Sequence, residues 1–135
     1  MYLQFTPLGL EDITLIQHLG RASYEPYYRH IWHPGGIDWY MDLCFNEASL
    51  RKELSDPNVT YLLPQTENGE IIGLLKLLLL KPAPNHLEDN ALYLEKIYLM
   101  PAFYGKGMGQ LLMQYVFETA QSLNRAAVWL MVLKN

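Results

Sequence analysis

Residues 92–99 read LYLEKIYL and residues 101–110 read PAFYGKGMGQ, and this stretch decides the fold. It predicts a β-strand that passes through a glycine-rich loop into the start of a helix. The first turn of a helix has N–H groups without partners and a partial positive charge, so phosphate oxygens bind there readily. Because glycine has no side chain, an anion can approach these N–H groups closely. The stretch therefore predicts an anion-binding site made of backbone.

Two familiar phosphate-binding patterns do not fit the spacing of these glycines. A Rossmann fingerprint needs Gly-x-Gly-x-x-Gly, but counting from Gly105 the last position is Gln110, and counting from Gly107 it is Leu112. A P-loop needs Ser or Thr directly after Lys106, where this chain has Gly107. The spacing therefore argues against both a dinucleotide site and a triphosphate site.

The pattern on either side of this stretch predicts further helices and strands. Apolar residues recur at helical spacing over residues 10–19, where Gly20 is expected to end the helix. Asn46 is expected to cap a helix over residues 47–54, and another helix should follow the glycine loop. Strands are expected over residues 3–6, 59–63, 71–81, 91–99 and 126–133, with an Asn-Gly hairpin turn between the second and the third.

Elements in this order predict the α+β class. We expect an α/β/α sandwich, in which helices flank a mixed and mainly antiparallel sheet. The last strand, helix and strand should form a right-handed parallel crossover. Residues 24–40 are rich in aromatic side chains and broken by proline and glycine, so they should form an irregular or short-helical wall.

Composition narrows the class of protein. With 135 residues, half of them hydrophobic, the chain suits one domain over residues 1–135. A net charge of -4 argues against a nucleic-acid partner and favours a cationic or amine partner. A single cysteine, Cys44, favours a reducing, cytoplasmic setting, and no apolar run is long enough to span a membrane.

The glycine loop also carries a family resemblance. Gly107-Met108-Gly109 fits the Arg/Gln-x-x-Gly-x-Gly/Ala loop of the Gcn5-related N-acetyltransferases, and it follows a strand that ends in Ile-Tyr-Leu. The chain resembles this family, which implies the acyl-CoA N-acyltransferase fold, acetyl-CoA as co-substrate and no metal. Residues 45–55 and 94–98 look like the polyamine acetyltransferase branch of bacteria. This likeness implies a small primary amine, with a polyamine as the candidate, as the acceptor.

The resemblance also implies which residues bind coenzyme A. The loop amides would hold the pyrophosphate, and the strand before the loop would pair with the pantetheine arm. The residues implied are Ile97, Tyr98, Leu99, Tyr104, Gly105, Lys106, Gly107, Met108, Gly109, Gln110 and Asn135. Tyr104 departs from the family pattern, because Gln or Arg is usual there, so one side-chain contact to phosphate is in question.

Acetyl transfer from a thioester to an amine needs a deprotonated amine and a stabilised oxyanion. Strand alternation places Ala91, Tyr93, Glu95, Ile97 and Leu99 on one face and Lys96 on the other. Glu95 is the carboxylate on that face, so we expect it to act as base or to bind the amine, beside Tyr93. Tyr93 falls where some family members carry a base glutamate. The alternative is that Glu95 forms a structural ion pair at a sheet edge. N–H groups freed at a bulge would stabilise the oxyanion.

Other reactive or aromatic residues are weaker candidates. His30 and His33 have no third metal ligand indicated, so no metal site is expected, and Cys44 lacks a histidine-assisted setting. Six aromatic residues are candidates to line the acceptor pocket, although half or more are expected to be core: Tyr24, Tyr27, Tyr28, Trp32, Trp39 and Tyr40.

The resemblance implies a helix with a tyrosine general acid and two strands beyond the matched region, whereas this chain ends at Asn135. The expectation is either a fragment of a longer acetyltransferase or a homodimer that covers the last strand. An isolated chain of this kind is expected to be a weak enzyme. A non-catalytic acyl-CoA-binding module is therefore the competing hypothesis, and an inactive structural remnant is a third.

Overall fold

The computed structural model describes residues 2–28 and 33–131. Five strands form one sheet in the order β1-β2-β3-β4-β5. Neighbouring strands are antiparallel from β1 to β4, whereas β4 and β5 are parallel. The strands are β1 (Leu3–Pro7), β2 (Val59–Thr66), β3 (Gly73–Leu78), β4 (Ala91–Leu99) and β5 (Ala127–Trp129).

Helices cover both faces of this sheet. They are α1 (Ile13–Tyr28), α2 (Gly36–Phe45), α3 (Glu47–Leu54) and α4 (Met108–Ser122), with short 3-10 turns at Leu10–Asp12, Pro84–His86 and Pro101–Phe103. On one face, α1 to α3 bury a core that includes Ile16, Leu50 and Leu74. On the other face, α4 buries a second core that includes Leu75 and Leu112. The predicted α+β sandwich is confirmed.

Two local predictions from the sequence are also confirmed. The side chain of Asn46 accepts a hydrogen bond from the Ser49 N–H at 2.8 Å, so it caps α3 as expected. Gly69 has a φ of +84°, and the Thr66 N–H donates to the Glu70 carbonyl at 2.9 Å. The Asn-Gly turn therefore joins β2 to the chain that leads into β3.

The expected helix end at Gly20 is wrong. Helix α1 continues through Gly20 and Pro26 to Tyr28. Residues 24–40 were predicted to be irregular or short-helical, and α2 covers the last part of this segment. A Cβ atom on Gly20 would lie 2.6 Å from the ring of Phe45, at the end of α2. Gly20 is therefore a point of close approach between two helices, not a helix stop.

The bounds of four strands differ from those predicted. Strand β1 runs one residue further, to Pro7. Strand β2 continues to Thr66. Strand β3 covers only Gly73–Leu78, and before it Ile71 forms an isolated bridge with Gln65. Strand β5 ends at Trp129. At the start of β3, a Cβ on Gly73 would lie 1.9 Å from the Tyr98 carbonyl oxygen, so only glycine allows β3 and β4 to pair there.

Candidate active site

Strand β4 contains a bulge at the candidate base. Lys76 of β3 is opposite Lys96, and the next residue, Leu77, is opposite Leu94. Glu95 therefore has no partner on β3, because two residues of β4 occupy the space of one. Such a bulge turns the side chains beyond it to the other face and interrupts the backbone hydrogen bonds, which leaves polar groups for a ligand.

The bulge corrects the predicted faces of β4. Leu92 and Leu94 before it and Ile97 and Leu99 after it all belong to the α4-side core, so Ile97 and Leu99 do not share a face with Glu95. Tyr93 and Glu95 do share the α1–α3 side. The prediction that Lys96 points away from Glu95 is also wrong. The Lys96 ammonium lies on the α1–α3 side, 5.1 Å from the centroid of the Phe45 ring.

Glu95 belongs to a buried ionic cluster that the sequence analysis missed. The Lys76 ammonium contacts the Glu95 carboxylate and lies 2.5 Å from Glu53 Oε1 of α3. The Tyr61 hydroxyl of β2 donates a hydrogen bond to Glu53 Oε2 at 2.8 Å. The only available signal was that Lys76 is the one charged residue in the apolar run 71–80.

This cluster has a net negative charge and one open side. Lys76 is 5% exposed, whereas the side chains of Glu53 and Glu95 are 24% and 26% exposed. The expected alternative, an ion pair of Glu95 with a lysine, is therefore present. It lies at an open edge of the sheet, because β4 pairs with the described part of β5 only over residues 91–93.

Burial and charge set the protonation of the groups around Glu95. Burial lowers the pKa of Lys76, but hydrogen bonds and charges from Glu53 and Glu95 outweigh it, so this pKa is raised overall. Burial first, and the charge of Glu53 second, raise the pKa of Tyr61. Burial and the charge of Glu95 raise the pKa of Tyr93, against an opposing effect of Lys76. At neutral pH the ammonium is thus charged and both phenols are neutral.

Strands β4 and β5 pair at one end only. Their paired residues are Ala91 with Ala127, Leu92 with Val128 and Tyr93 with Trp129. The last pair is stacked, with ring centroids 3.9 Å apart. Residues 94–99 of β4 have no β5 partner within the part of the chain that the structure describes. An extended ligand with amide groups can hydrogen-bond to such an edge as an added strand does.

The glycine loop lies directly beyond this open edge. Gly105 and Gly107 have φ values of +72° and +76°, and α4 begins at Met108 with no side chain capping its N–H groups. A Cβ atom on either glycine, or on Gly109, would meet nothing within 4 Å. Open space therefore adjoins the free N–H groups of the first turn, which is the geometry of an anion site.

A groove continues from this loop along the side of α4 that borders the open part of β4. It has a volume of about 620 Å³, and Gly109 and Gln110 line it near the loop. Ile97 of β4, Met113 and the half-exposed Phe117 supply its apolar wall. The open edge, the loop and the groove thus form one continuous surface that suits a long ligand with both apolar and anionic parts.

The remaining predicted cofactor residues surround the same loop. Tyr104 is 41% exposed, and its N–H donates to the Pro101 carbonyl at 3.2 Å. The Lys106 ammonium lies 5.8 Å from the Phe103 ring centroid. The side chain of Tyr98 packs on the opposite face, 6.2 Å from Phe45 between ring centroids. Asn135 lies outside the described residues.

The weaker candidates among the aromatic, cysteine and histidine residues lie in different parts of the fold. Tyr24 is buried and its ring centroid lies 5.0 Å from that of Tyr40, whereas Trp39 is exposed. Cys44 packs partly buried against the α1–α3 core. His33 is exposed, and His30, Trp32 and the side chains of Tyr27 and Tyr28 lie outside the described part.

Within residues 2–28 and 33–131, no three His, Cys, Asp or Glu residues are grouped to hold a metal ion. No helix in those ranges combines the length and the apolarity needed to cross a bilayer.

The fold and the site together agree with one family of proteins. Residues 20–135 match the acetyltransferase (GNAT) family, and the chain belongs to that family. The resemblance that the glycine loop carries is therefore confirmed at the level of the family.

Two curated relatives are uncharacterized N-acetyltransferases. One, from Lactobacillus delbrueckii subsp. lactis, lies in the region 3' of pepI and is 27% identical over 97 residues, which is 72% of this chain and 56% of the relative. The other, from Mycobacterium tuberculosis, is 29% identical over 97 residues, or 72% and 57% of the two chains. The chain thus spans little more than half the length of the curated relatives it matches.

Solved structures support the fold. The PaiA N-acetyltransferase of Thermoplasma acidophilum, in complex with coenzyme A, superposes with a TM-score of 0.79 at 19% identity, over 100% of this chain and 82% of that one. The aminoglycoside 6'-N-acetyltransferase AAC(6')-Ih of Acinetobacter baumannii gives 0.68 at 15% identity, over 99% and 82%.

Proposed function

We propose that this protein transfers an acetyl group from acetyl-CoA to a small primary amine. One observation carries the proposal. The Glu95 carboxylate lies at a bulge of β4, at the point where β4 loses its β5 partner and shortly before the glycine loop. A candidate base, an open strand edge and a candidate anion site thus follow one another within residues 95–109. Membership of the acetyltransferase family supports this reading.

The cofactor would lie along the open edge and the loop. The pantetheine amides would hydrogen-bond to the backbone of Ile97, Tyr98 and Leu99, and the pyrophosphate would accept hydrogen bonds from the free N–H groups after Gly107. The other loop residues would contribute backbone or side-chain contacts: Tyr104, Gly105, Lys106, Met108, Gly109 and Gln110. Asn135 is proposed as a further contact.

The reaction would proceed by direct attack of the amine. Glu95 would accept a proton from the substrate ammonium, either directly or through water, and the neutral amine would attack the thioester carbonyl. An N–H group freed at the bulge would hydrogen-bond to the oxyanion that forms. The C–S bond would then break, and the proton that the attacking nitrogen loses on forming the amide would pass to the sulfur, directly or through water, so that coenzyme A leaves as the thiol. Tyr93 would stay a neutral phenol in the site, because its raised pKa prevents it from acting as the base.

A polyamine is the acceptor that we favour. Two carboxylates and one ammonium leave the cluster around Glu95 with a net charge of -1. The whole chain has a net charge of -4. Both charges attract a cationic substrate. Residues 45–55 and 94–98, which look like the polyamine branch, contain Glu53 and Glu95 of this cluster.

One observation favours a second function. The Glu95 carboxylate already contacts the Lys76 ammonium, and a carboxylate held in an ion pair could be purely structural. The second candidate is therefore a non-catalytic acyl-CoA-binding module.

Two measurements on one sample separate these functions. Calorimetric titration with acetyl-CoA tests the cofactor site, and thiol release on addition of spermidine tests transfer. Binding with release supports the enzyme, binding without release supports the module, and no binding overturns both. Size-exclusion chromatography tests the further proposal that the chain forms a homodimer.

A further inference from the structure

Packing alone does not explain Lys76 in strand β3. Its neighbours in β3, Leu74, Leu75 and Leu77, are fully buried, and Lys76 itself is 5% exposed. An apolar side chain of similar length would fill this place without desolvating an ammonium group. Replacement of a buried ion pair by apolar residues is often neutral or stabilising. The presence of a charge here therefore points to a role other than packing.

The contacts of Lys76 tie a rigid part of the fold to the bulge. Glu53 is fixed at one side, because it belongs to α3 and also accepts the hydrogen bond of Tyr61 at 2.8 Å. Lys76 lies in the middle of the sheet, 2.5 Å from Glu53 Oε1. Glu95, the third member, has no backbone partner on β3 to hold its residue in place. The Lys76 ammonium is thus the contact that can fix the direction of the Glu95 carboxylate.

Glu53 keeps the cluster negative. Lys76 and Glu95 alone would sum to zero, and a neutral pair attracts a substrate ammonium weakly. With Glu53 the sum is -1, and one side of Glu95 stays open, at 26% exposure of its side chain. The Lys76 ammonium also lies 5.6 Å from the centroid of the Tyr61 ring, and the phenols of Tyr61 and Tyr93 add no charge because they are neutral at pH 7.

From this geometry we infer that Lys76 is a positioning residue. Glu53, which accepts a hydrogen bond from Tyr61, holds Lys76 in place, and Lys76 in turn directs the Glu95 carboxylate toward the proposed site of the substrate amine. The inference rests on the proposed acetyl transfer. It assigns no contact between Lys76 and substrate, because Lys76 is buried beneath the two carboxylates. Lys76 acts only through Glu95.

The first test is a double-mutant cycle of Lys76→Met and Glu95→Gln. Lys76→Met should lower kcat for amine-dependent thiol release by about 10- to 100-fold, with the Kd for acetyl-CoA within about twofold, because a base out of place loses much of its effect. In the Glu95→Gln background the same change should alter kcat by less than about twofold. Lys76→Arg, which keeps the charge, should restore part of the rate. An equal loss in both backgrounds, or no loss in either, would overturn the inference.

Two controls separate the possible causes of failure. Lys52→Met removes a charge from the exposed face of α3 and should leave kcat unchanged. Lys76→Met leaves Glu53 and Glu95 without their counter-ion, so its Tm should be lower than that of the wild type. Thermal unfolding therefore sets a temperature at which both proteins are folded and their kcat values can be compared.

A crystal structure of Lys76→Met tests the positioning even if the wild type shows no transfer. A Glu95 carboxylate turned away from its original place supports the inference, and an unmoved carboxylate overturns it. An inactive wild type would by itself overturn only the proposed function.

Discussion

At the scale of the residue, the proposed role of Glu95 depends on what surrounds its carboxylate. The carboxylate combines an ion pair with Lys76, a place at a strand bulge and an open side. Any one of these features is common in proteins. Their combination next to an anion-binding loop is what makes Glu95 a candidate base instead of only a structural carboxylate.

Gly109 offers a residue-scale test of the anion site. Gly109→Asp adds a negative charge at the start of α4, where it should stabilise the helix and repel a pyrophosphate. We expect a Tm equal to or above that of the wild type and a loss of at least about tenfold in acetyl-CoA affinity by calorimetry.

Gly109→Ala is the matched control for this substitution. Its Cβ meets nothing within 4 Å, so stability and affinity should both stay near wild type. Unchanged affinity in Gly109→Asp would show that the pyrophosphate does not bind at this helix start.

The sequence predicted that Glu95 and Tyr93 share one face of β4, but not which other residues lie on that face. Alternation assumes a regular strand, and one extra residue at a bulge leaves no mark in composition, so Ile97 and Leu99 were assigned to the wrong face. Lys76 was read as part of a buried strand because its neighbours are leucines. Its partner Glu53 is 23 residues away in sequence, and only the folded chain brings them together.

At the scale of the element, local signals predicted most helices and strands. The Asn46 cap, the Asn-Gly turn and the whole of β4 were placed correctly, since each has a local physical cause. Gly20 misled because a glycine that allows close packing resembles one that ends a helix. Such a difference depends on Phe45, which lies 25 residues further along the chain and is not visible in a local window.

Gly73 provides an element-scale prediction. A Cβ at this position would lie 1.9 Å from the Tyr98 carbonyl oxygen, a backbone atom that cannot turn away. Gly73→Ala should therefore separate β3 from β4 and destabilise the fold by about 1–3 kcal/mol in urea unfolding. Because β4 has the open edge at which we propose that the cofactor binds, acetyl-CoA affinity should fall as well.

The outcome for Gly73→Ala is compared with that of Gly109→Ala, which has open space around its Cβ. If the two variants unfold at the same urea concentration, close pairing of β3 and β4 at Gly73 is not required.

At the scale of the whole molecule, one sheet separates two hydrophobic cores. The ionic cluster of Glu53, Lys76 and Glu95 joins α3 to β3 and β4. The α1–α3 side contains the ionic cluster, and the α4 side contains the loop and the groove. This division follows from the element order, which the sequence predicted, together with the bulge, which it did not. Glu95 lies in β4 and the glycine loop follows β4 in the chain, so the candidate base and the proposed cofactor loop are close in sequence but border different layers.

The cluster predicts a pH dependence of stability. The pKa of Lys76 is raised in the folded state above its ordinary value of 10.5, so folding holds its proton more tightly. The stabilisation is therefore fully present below pH 10.5 and is lost as pH rises through the higher folded-state value. The wild-type free energy of unfolding should fall with pH in this range more steeply than that of Lys76→Met, by at most about 1.4 kcal/mol per pH unit for one proton.

Urea unfolding followed by tryptophan fluorescence, from pH 8 to pH 11.5 in steps, measures this difference. Tyr61 and Tyr93, whose pKa values are also raised, lose stability in the same direction in both proteins. Because Lys76 lowers the pKa of Tyr93, this phenol contributes at least as much to the pH dependence of Lys76→Met as to that of the wild type. Parallel curves for the two proteins would contradict a protonated Lys76 in the cluster.

The central claim is that Glu95 promotes acetyl transfer on a cofactor held at the β4 edge and the glycine loop. The most direct measurement is the spermidine-dependent release of the coenzyme A thiol at saturating acetyl-CoA, for the wild type and for Glu95→Gln. The wild type should release the thiol. In Glu95→Gln, kcat should fall by about 100-fold or more, while the Kd for acetyl-CoA should stay unchanged. Equal rates for the two proteins would contradict the central claim.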